Sequence, residues 1–249
     1  MTTATDEVLE VSASGREVEE RARVLFKQHR HAAMSQVDKL FVYLMLAQWV
    51  FGMVIAVTVS PFGWEGKVQT VHLHVQIALL LGGALSALPI ALAIMRPGQA
   101  LTRHVMAIAQ MLWSALLIHL TGGRIETHFH IFGSLAFLAF YLDWPVLVTA
   151  TVVVAGDHFL RGIVWPESVY GISNPESWRF LEHAGWVVFE NSVLVAWCVK
   201  GTAALRQSSE RQAQVEVLSE LTRDKMAALE MAMNELGGLP EEPRGASAA

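Results

Sequence analysis

Imidazole is the side chain with the most chemistry to offer in this chain, and its ten copies are unevenly placed. Seven of them, His72, His74, His119, His128, His130, His158 and His183, stand at or beside the ends of apolar segments, accompanied by Glu126, Asp157, Glu182 and Glu190. Neutral imidazole is the commonest protein ligand for zinc and copper, and imidazole pairs also hold haem iron. The competing reading is that each ring simply hydrogen-bonds water, lipid head groups and helix ends at a membrane interface. For a shared site the favoured residues are His119, Glu126, His130, His158 and His183, with His72, His74, His128, Glu182 and Glu190 behind them. Copper, zinc or haem is the cofactor such a set would take.

Spacing divides these candidates. In Glu126-Thr127-His128-Phe129-His130, positions 126 and 130 share a helical face and 128 points almost oppositely. Glu126 and His130 can therefore serve one site, with His128 outside it unless the helix starts later. His72 and His74 conflict in the same way, so one at most is expected to face inward. Asp157 and Arg161 are four apart, which suits an ion pair within one helix. His183, Trp186 and Glu190 lie along one stripe, and Glu190, at membrane depth, needs a partner or must hold its proton. Gln48, Gln76, Gln110, Ser114 and Ser134 are read as polar groups bonding between helices, and Gly82, Gly83 and Gly133 as points of close helix approach. A single cysteine, Cys198, excludes an internal disulfide framework and a cysteine-cluster metal site. The chain has no Walker loop, nucleophile elbow or zinc-protease helix, so no enzymatic activity is expected.

The elements that must position these residues are membrane helices. The chain is 53% hydrophobic and 16% charged, with a mean hydropathy of +0.39, whereas soluble globular chains hold roughly 25% charged residues. The charge is concentrated before Leu40 and after Lys200, so the net charge of −5 belongs to the ends and points to no nucleic-acid partner. A bilayer core about 30 Å thick needs about 20 apolar helical residues. Six segments qualify, at approximately 40–60, 71–95, 103–121, 126–142, 145–164 and 182–203. Arg96-Pro97-Gly98 closes the second and Gly122-Gly123 the third, while Asp143-Trp144-Pro145 allows only a tight hairpin between the fourth and fifth. The stretch from Trp165 to Phe180 is read as irregular. The expected fold is all-α, a polytopic bundle of about six transmembrane helices with a cytoplasmic helical tail. Because the first 35 residues are polar, the first apolar segment is expected to direct insertion itself.

Basic residues orient the bundle. Arg16, Arg21, Arg23, Lys27, Arg30 and Lys39 precede the first span, Arg96 and Arg103 follow the second, and Lys200, Arg206 and Arg211 follow the sixth. The other side has Lys67, Arg124, Arg161 and Arg179 spread over three loops. Both termini are therefore expected in the cytoplasm and the seven histidines at the outer face. Residues 1–38 form an N-terminal tail whose segment 16–33 reads as a basic amphipathic helix on the membrane surface. Residues 39–203 form the membrane module and 204–237 a helical stalk. Along that stalk Val215, Thr222, Leu229 and Leu236 share one heptad position, and Leu218, Lys225 and Ala232 another. This is a short coiled-coil seam that would make a parallel homodimer, the alternative being a solvated single helix. Residues 238–249 are expected to be disordered.

From His119 the chain reads HLTGGRIETHFHIFGSLAFLAFYLDWPVLVTATVVVAGDHFLRGIVWPESVYG, then WRFLEHAGWVVFE to Glu190, preceded by RPGQALTRHVMAIAQMLWSALLI from Arg96. These strings closely resemble the N-terminal membrane module of bacterial sensor histidine kinases and related multidomain signalling proteins, over about residues 20–200. The resemblance implies a sensory input module in the inner membrane, followed by a helical linker and an output domain. It brings no assigned ligand. Beyond the linker this chain holds no phosphoacceptor histidine box, ATP-binding domain, cyclase motif or chemoreceptor hairpin, so kinase activity does not carry over. Three expectations follow: signalling through a cytoplasmic partner, another use of the sensory module, or a truncated relative. The function expected is perception of a stimulus near the outer face and its relay through the sixth helix. The alternative is a metal- or haem-binding protein for redox, storage or transport.

Overall fold

Each apolar run forms a helix in the computed structural model, which describes residues 4–65, 68–176 and 178–237. The elements are α1 (Ala4–Val59), β1 (Phe62–Glu65), β2 (Val68–Val71), α2 (Leu73–Met95), α3 (Ala100–Leu120), α4 (Ile125–Leu138), α5 (Trp144–Val164), α6 (Glu167–Tyr170) and α7 (Arg179–Gly237). The expected disordered tail, 238–249, lies outside the described residues. Among the described residues, α1, α2, α3, α5 and α7 are long and apolar enough to cross a membrane. The fourth expected span is shorter, because α4 has 14 residues and its last turn tightens into a 3-10 turn at Ala139–Tyr141.

The chain divides into two compact units, residues 28–205 and residues 1–27 with 206–249. In the larger unit, α3 packs against α2, α4 and α5. Two-thirds of its apolar window is buried, against about a quarter for α2 and α5, which makes α3 the central helix. Trp113, Met106, Leu117 and Ile118 of α3 are fully buried with Phe41, Met45, Leu135, Leu138 and Leu147. The outer faces carry Leu80, Leu88, Val152, Val193 and Trp197, all more than half exposed. A contiguous apolar exterior of this kind is stable only with lipid as its solvent. The molecule is a membrane helical bundle.

Polar contacts fix which helix ends lie together. At one end, Asp38 accepts hydrogen bonds from the Tyr141 hydroxyl and the Gly98 amide, each at 2.6 Å. There too Asp143 meets Arg103 at 2.6 Å and Arg30 at 3.3 Å, and Thr202 donates to the Leu142 carbonyl at 2.9 Å. This end gathers the start of the first apolar run, the α2–α3 and α4–α5 turns and the end of the last apolar run. Six antiparallel segments running end to end produce that pairing, so α4 traverses the bundle despite its length. A short β-hairpin, with Phe62 opposite Val71, links α1 to α2 at the other end.

In the smaller unit, α1 and α7 pack side by side. Ala22, Leu25 and Ala213 form a small core with Val18, Arg21 pairs with Glu216 at 2.6 Å, and the Arg206 guanidinium lies over the Phe26 ring. The segment 16–33 is helical, as its amphipathic pattern predicts. It belongs to the unbroken 56-residue α1, because nothing between Ala33 and Leu40 stops a helix. Helix α7 likewise runs 59 residues without interruption.

Candidate histidine site at one end of the bundle

Six of the seven singled-out histidines gather at the end of the larger unit opposite Asp38 and Asp143, and they form two groups. The first comes from α2 and α3. His72 precedes α2 as its cap, with φ −60° and ψ 144°, and its Nδ1 accepts from the His74 amide at 3.1 Å. The expected conflict between His72 and His74 disappears, because the alternation of a helix applies only inside it. The two rings touch edge to face at 4.4 Å, and His74 in turn meets His119 at 5.1 Å. His119 continues to Trp165 at 4.8 Å, and its Nδ1 lies 2.9 Å from Ser168 Oγ. Arg161 donates to the same Oγ at 2.8 Å and clamps Asp157 through two bonds, the helical ion pair that the spacing predicts.

The second group joins three helices. His128 of α4, His158 of α5 and His183 of α7 form a triangle with ring centroids 5.5, 5.3 and 6.1 Å apart. Each ring bonds the carbonyl one turn before it: His128 to Arg124 at 3.0 Å, His158 to Val154 at 3.1 Å and His183 to Arg179 at 3.0 Å. A carbonyl can only accept, so every Nδ1 carries a proton, and in the neutral ring Nε2 then keeps its lone pair. His128 and His158 are buried, and His128 Nε2 has no hydrogen-bond partner. Tyr170 of α6 packs on His183 at 5.6 Å. Burial raises the Tyr170 hydroxyl above its ordinary range, against the opposing pull of Arg179.

Glycine geometry sets this arrangement. Gly122 and Gly123 both take positive φ between α3 and α4, where a side chain is strained. A Cβ on Gly123 would stand 2.2 Å from the Gly171 amide nitrogen. That close approach seats α6 against the α3–α4 turn and brings Tyr170 and Ser168 to the histidines.

The remaining candidates stand apart. His130 lies deeper, with Nε2 2.9 Å from Gln48 Nε2 and Nδ1 2.8 Å from Ser114 Oγ. Ser114 donates to the Gln110 carbonyl, Gln48 and Gln110 bond reciprocally at 2.8 and 3.1 Å, and Ser134 donates to Gln110. Both His130 nitrogens are thus engaged in a polar network between α1, α3 and α4, the role expected for its glutamines and serines. Glu126 is exposed and lies 3.7 Å from Arg124, so it shares no site with His130. Glu182 is exposed at the mouth of a cavity of about 860 Å³, which also borders His128, His183 and Arg179. Glu190, farther along α7, has a buried Oε2 without a partner. His158 and His183 thus come together from the favoured set, whereas His119, Glu126 and His130 do not join them, and His128 does. Spacing could not find His128, because its partners lie 30 and 55 residues away.

The chain is similar to transducer protein Htr8 of Halobacterium salinarum, 30% identical over 142 residues, a match covering 55% of this chain and 21% of that protein. It spans about a fifth of the length of this relative. No family model matches the chain, and no solved structure matches it. The similarity supports a general signal-transducing role for this membrane helical protein.

Proposed function

We propose that the chain is a sensory input module of the inner membrane, with both termini cytoplasmic and the histidine-bearing end outward. The observation that carries this reading is α7, one unbroken helix that bears His183 near its start and a charged stalk beyond Lys200. A stimulus bound unequally by two packings of the bundle shifts their populations. A continuous helix rooted among those packings transmits the shift as rotation or translation. The likeness to sensor-kinase modules and to a transducer protein supports the same reading. The signal passes to the cytoplasmic stalk or to a partner protein that reads it, and a homodimer is its natural form.

The test is a fusion carrying an output kinase after Gly237, with one to four residues inserted near Ser208. Basal output should rise and fall with the helical repeat of about 3.6 residues, and replacing His158 or His183 should alter the stimulus response. Output indifferent to every insertion would sink the relay.

A second reading, metal binding at the outer face, is supported by the convergence of imidazoles from three helices. Its test is metal content: protein purified in mild detergent without a histidine tag should carry or take up stoichiometric copper or zinc, or show a haem Soret band.

A further inference from the structure

We propose that His128, His158 and His183 are the three protein ligands of a divalent transition-metal site, zinc or copper, whose fourth position opens toward the adjoining cavity. This rests on the metal-binding reading and names its ligands, and it departs from the set favoured by the sequence.

Four observations carry it. Each Nδ1 proton is committed to a backbone carbonyl, which in a neutral ring leaves the Nε2 lone pair for a metal, and His128 Nε2 has no hydrogen-bond partner. Hydrogen bonding of the distal ring nitrogen is the usual support of a metal-bound imidazole. For His158 a carboxylate adds to it, with Asp157 Oδ2 3.4 Å from Nδ1 and itself held by Arg161.

The ring spacing fits. In a tetrahedral site with metal–nitrogen bonds of about 2.0–2.1 Å, imidazole centroids stand about 5 Å apart, and two edges of the triangle measure 5.3 and 5.5 Å. Among the described residues no group of three such side chains is placed to hold a metal ion as it stands, and the third edge is 6.1 Å. The metal must therefore draw that edge in by about an ångström. His128 and His183 are the fourth and fifth residues of α4 and α7, close to helix ends, which fray.

The space fits as well. A cavity of about 120 Å³ is lined by all three rings, with apolar walls from Ile131, Phe132 and Val187. His128, only 4% exposed, leaves Nε2 there without a partner, and a buried nitrogen with no acceptor or donor is costly unless something fills its place. Finally, the 860 Å³ cavity reaches His128 and His183 from the bundle end, past Glu182 and Tyr170. It supplies a route for the ion and room for water or a small ligand as the fourth donor. Three imidazoles and one open position suit zinc or copper and disfavour magnesium or calcium, which take oxygen donors.

The experiment uses the full chain, untagged, in mild detergent and stripped by chelator. Titration with cobalt, a spectroscopic stand-in for zinc, should give the visible bands of a four-coordinate centre at one ion per chain, displaced by zinc. His128→Gln, His158→Gln and His183→Gln should each weaken binding by about 100-fold or more, while His72→Gln and His119→Gln should leave it within a fewfold. X-ray absorption of the wild-type zinc form, which needs no variant to fold, should show three imidazoles in the first shell. Metal lost only on replacing His72, His74 or His119, or a shell with fewer than three imidazoles, overturns these ligands and leaves metal binding standing. A wild-type chain that binds none of zinc, cobalt and copper and shows no Soret band overturns both.

Discussion

Asp143 carries more charge compensation than any other residue at the Asp38 end of the larger unit, opposite the two histidine groups. Its Oδ2 accepts from Arg103 Nε at 2.9 Å and Nη2 at 2.6 Å, while Arg30 reaches Oδ1 at 3.3 Å. The Arg103 side chain is 8% exposed and that of Arg30 is 40% exposed, so the two arginines depend on Asp143 very differently. Replacing Asp143 by Ala strands a buried guanidinium, which costs about 3–5 kcal/mol. Replacing Arg30 by Ala removes only a half-exposed partner, at about 1 kcal/mol or less. Thermal unfolding in detergent, followed through helix content, should place D143A well below the wild type and R30A close to it. Equal losses would mean that the Arg103 pair is not the lock described. The aspartate was legible in the sequence as part of a tight hairpin. Its partners were not, because Arg103 is 40 residues away and nothing in spacing pairs the two.

At the scale of elements, the helices follow from apolar length, and their contacts follow from details that length does not contain. All six apolar runs are helical, since a backbone in lipid must satisfy its hydrogen bonds within the segment. The β-hairpin at Phe62–Val71 and the helical turn at Glu167–Tyr170 were read as connecting chain, because four-residue elements leave no periodicity to detect. The candidate site was legible in part for the same reason. Histidines clustering at one end of the bundle is a consequence of topology, which charge bias encodes, whereas the grouping of His128 with His158 and His183 depends on helix order and rotation.

Glycines make the distinction measurable. A Cβ at Gly82 would lie 2.8 Å from the Trp113 ring and 3.2 Å from that of Trp49, both rigid groups. At Gly133 it would meet nothing within 4 Å, so the expected close approach at Gly133 is not there. Gly82→Ala should cost about 1–3 kcal/mol through overpacking. Gly133→Ala should be neutral or gain up to about 1 kcal/mol from helix propensity. Matched melts of G82A and G133A decide it, and a destabilised G133A would restore the close approach that the sequence reading gave it.

At the scale of the whole molecule, the open question is what covers the stalk. In the smaller unit α1 packs on Ala213 of α7, and Val217, one turn on, is buried as well. The heptad positions Val215, Leu218 and Leu229 are 67, 64 and 56% exposed. The flank of α7 used within the chain is therefore not the flank that carries the seam. Under the proposed parallel dimer, the a and d positions of two stalks face each other and equivalent residues meet across the axis. Cysteine introduced at 215, 218 or 229, with Cys198→Ser to remove the native thiol, should then form disulfide-linked dimers in membranes under mild oxidation. Cysteine at Glu220 or Met231, exposed positions off the seam, should not. Crosslinking with the heptad pattern would establish a dimeric stalk able to carry rotation of α7 to an output. Crosslinking at none of these positions, or at all of them alike, would make the stalk a solvated single helix, and the relay would then need a cytoplasmic partner as its second strand.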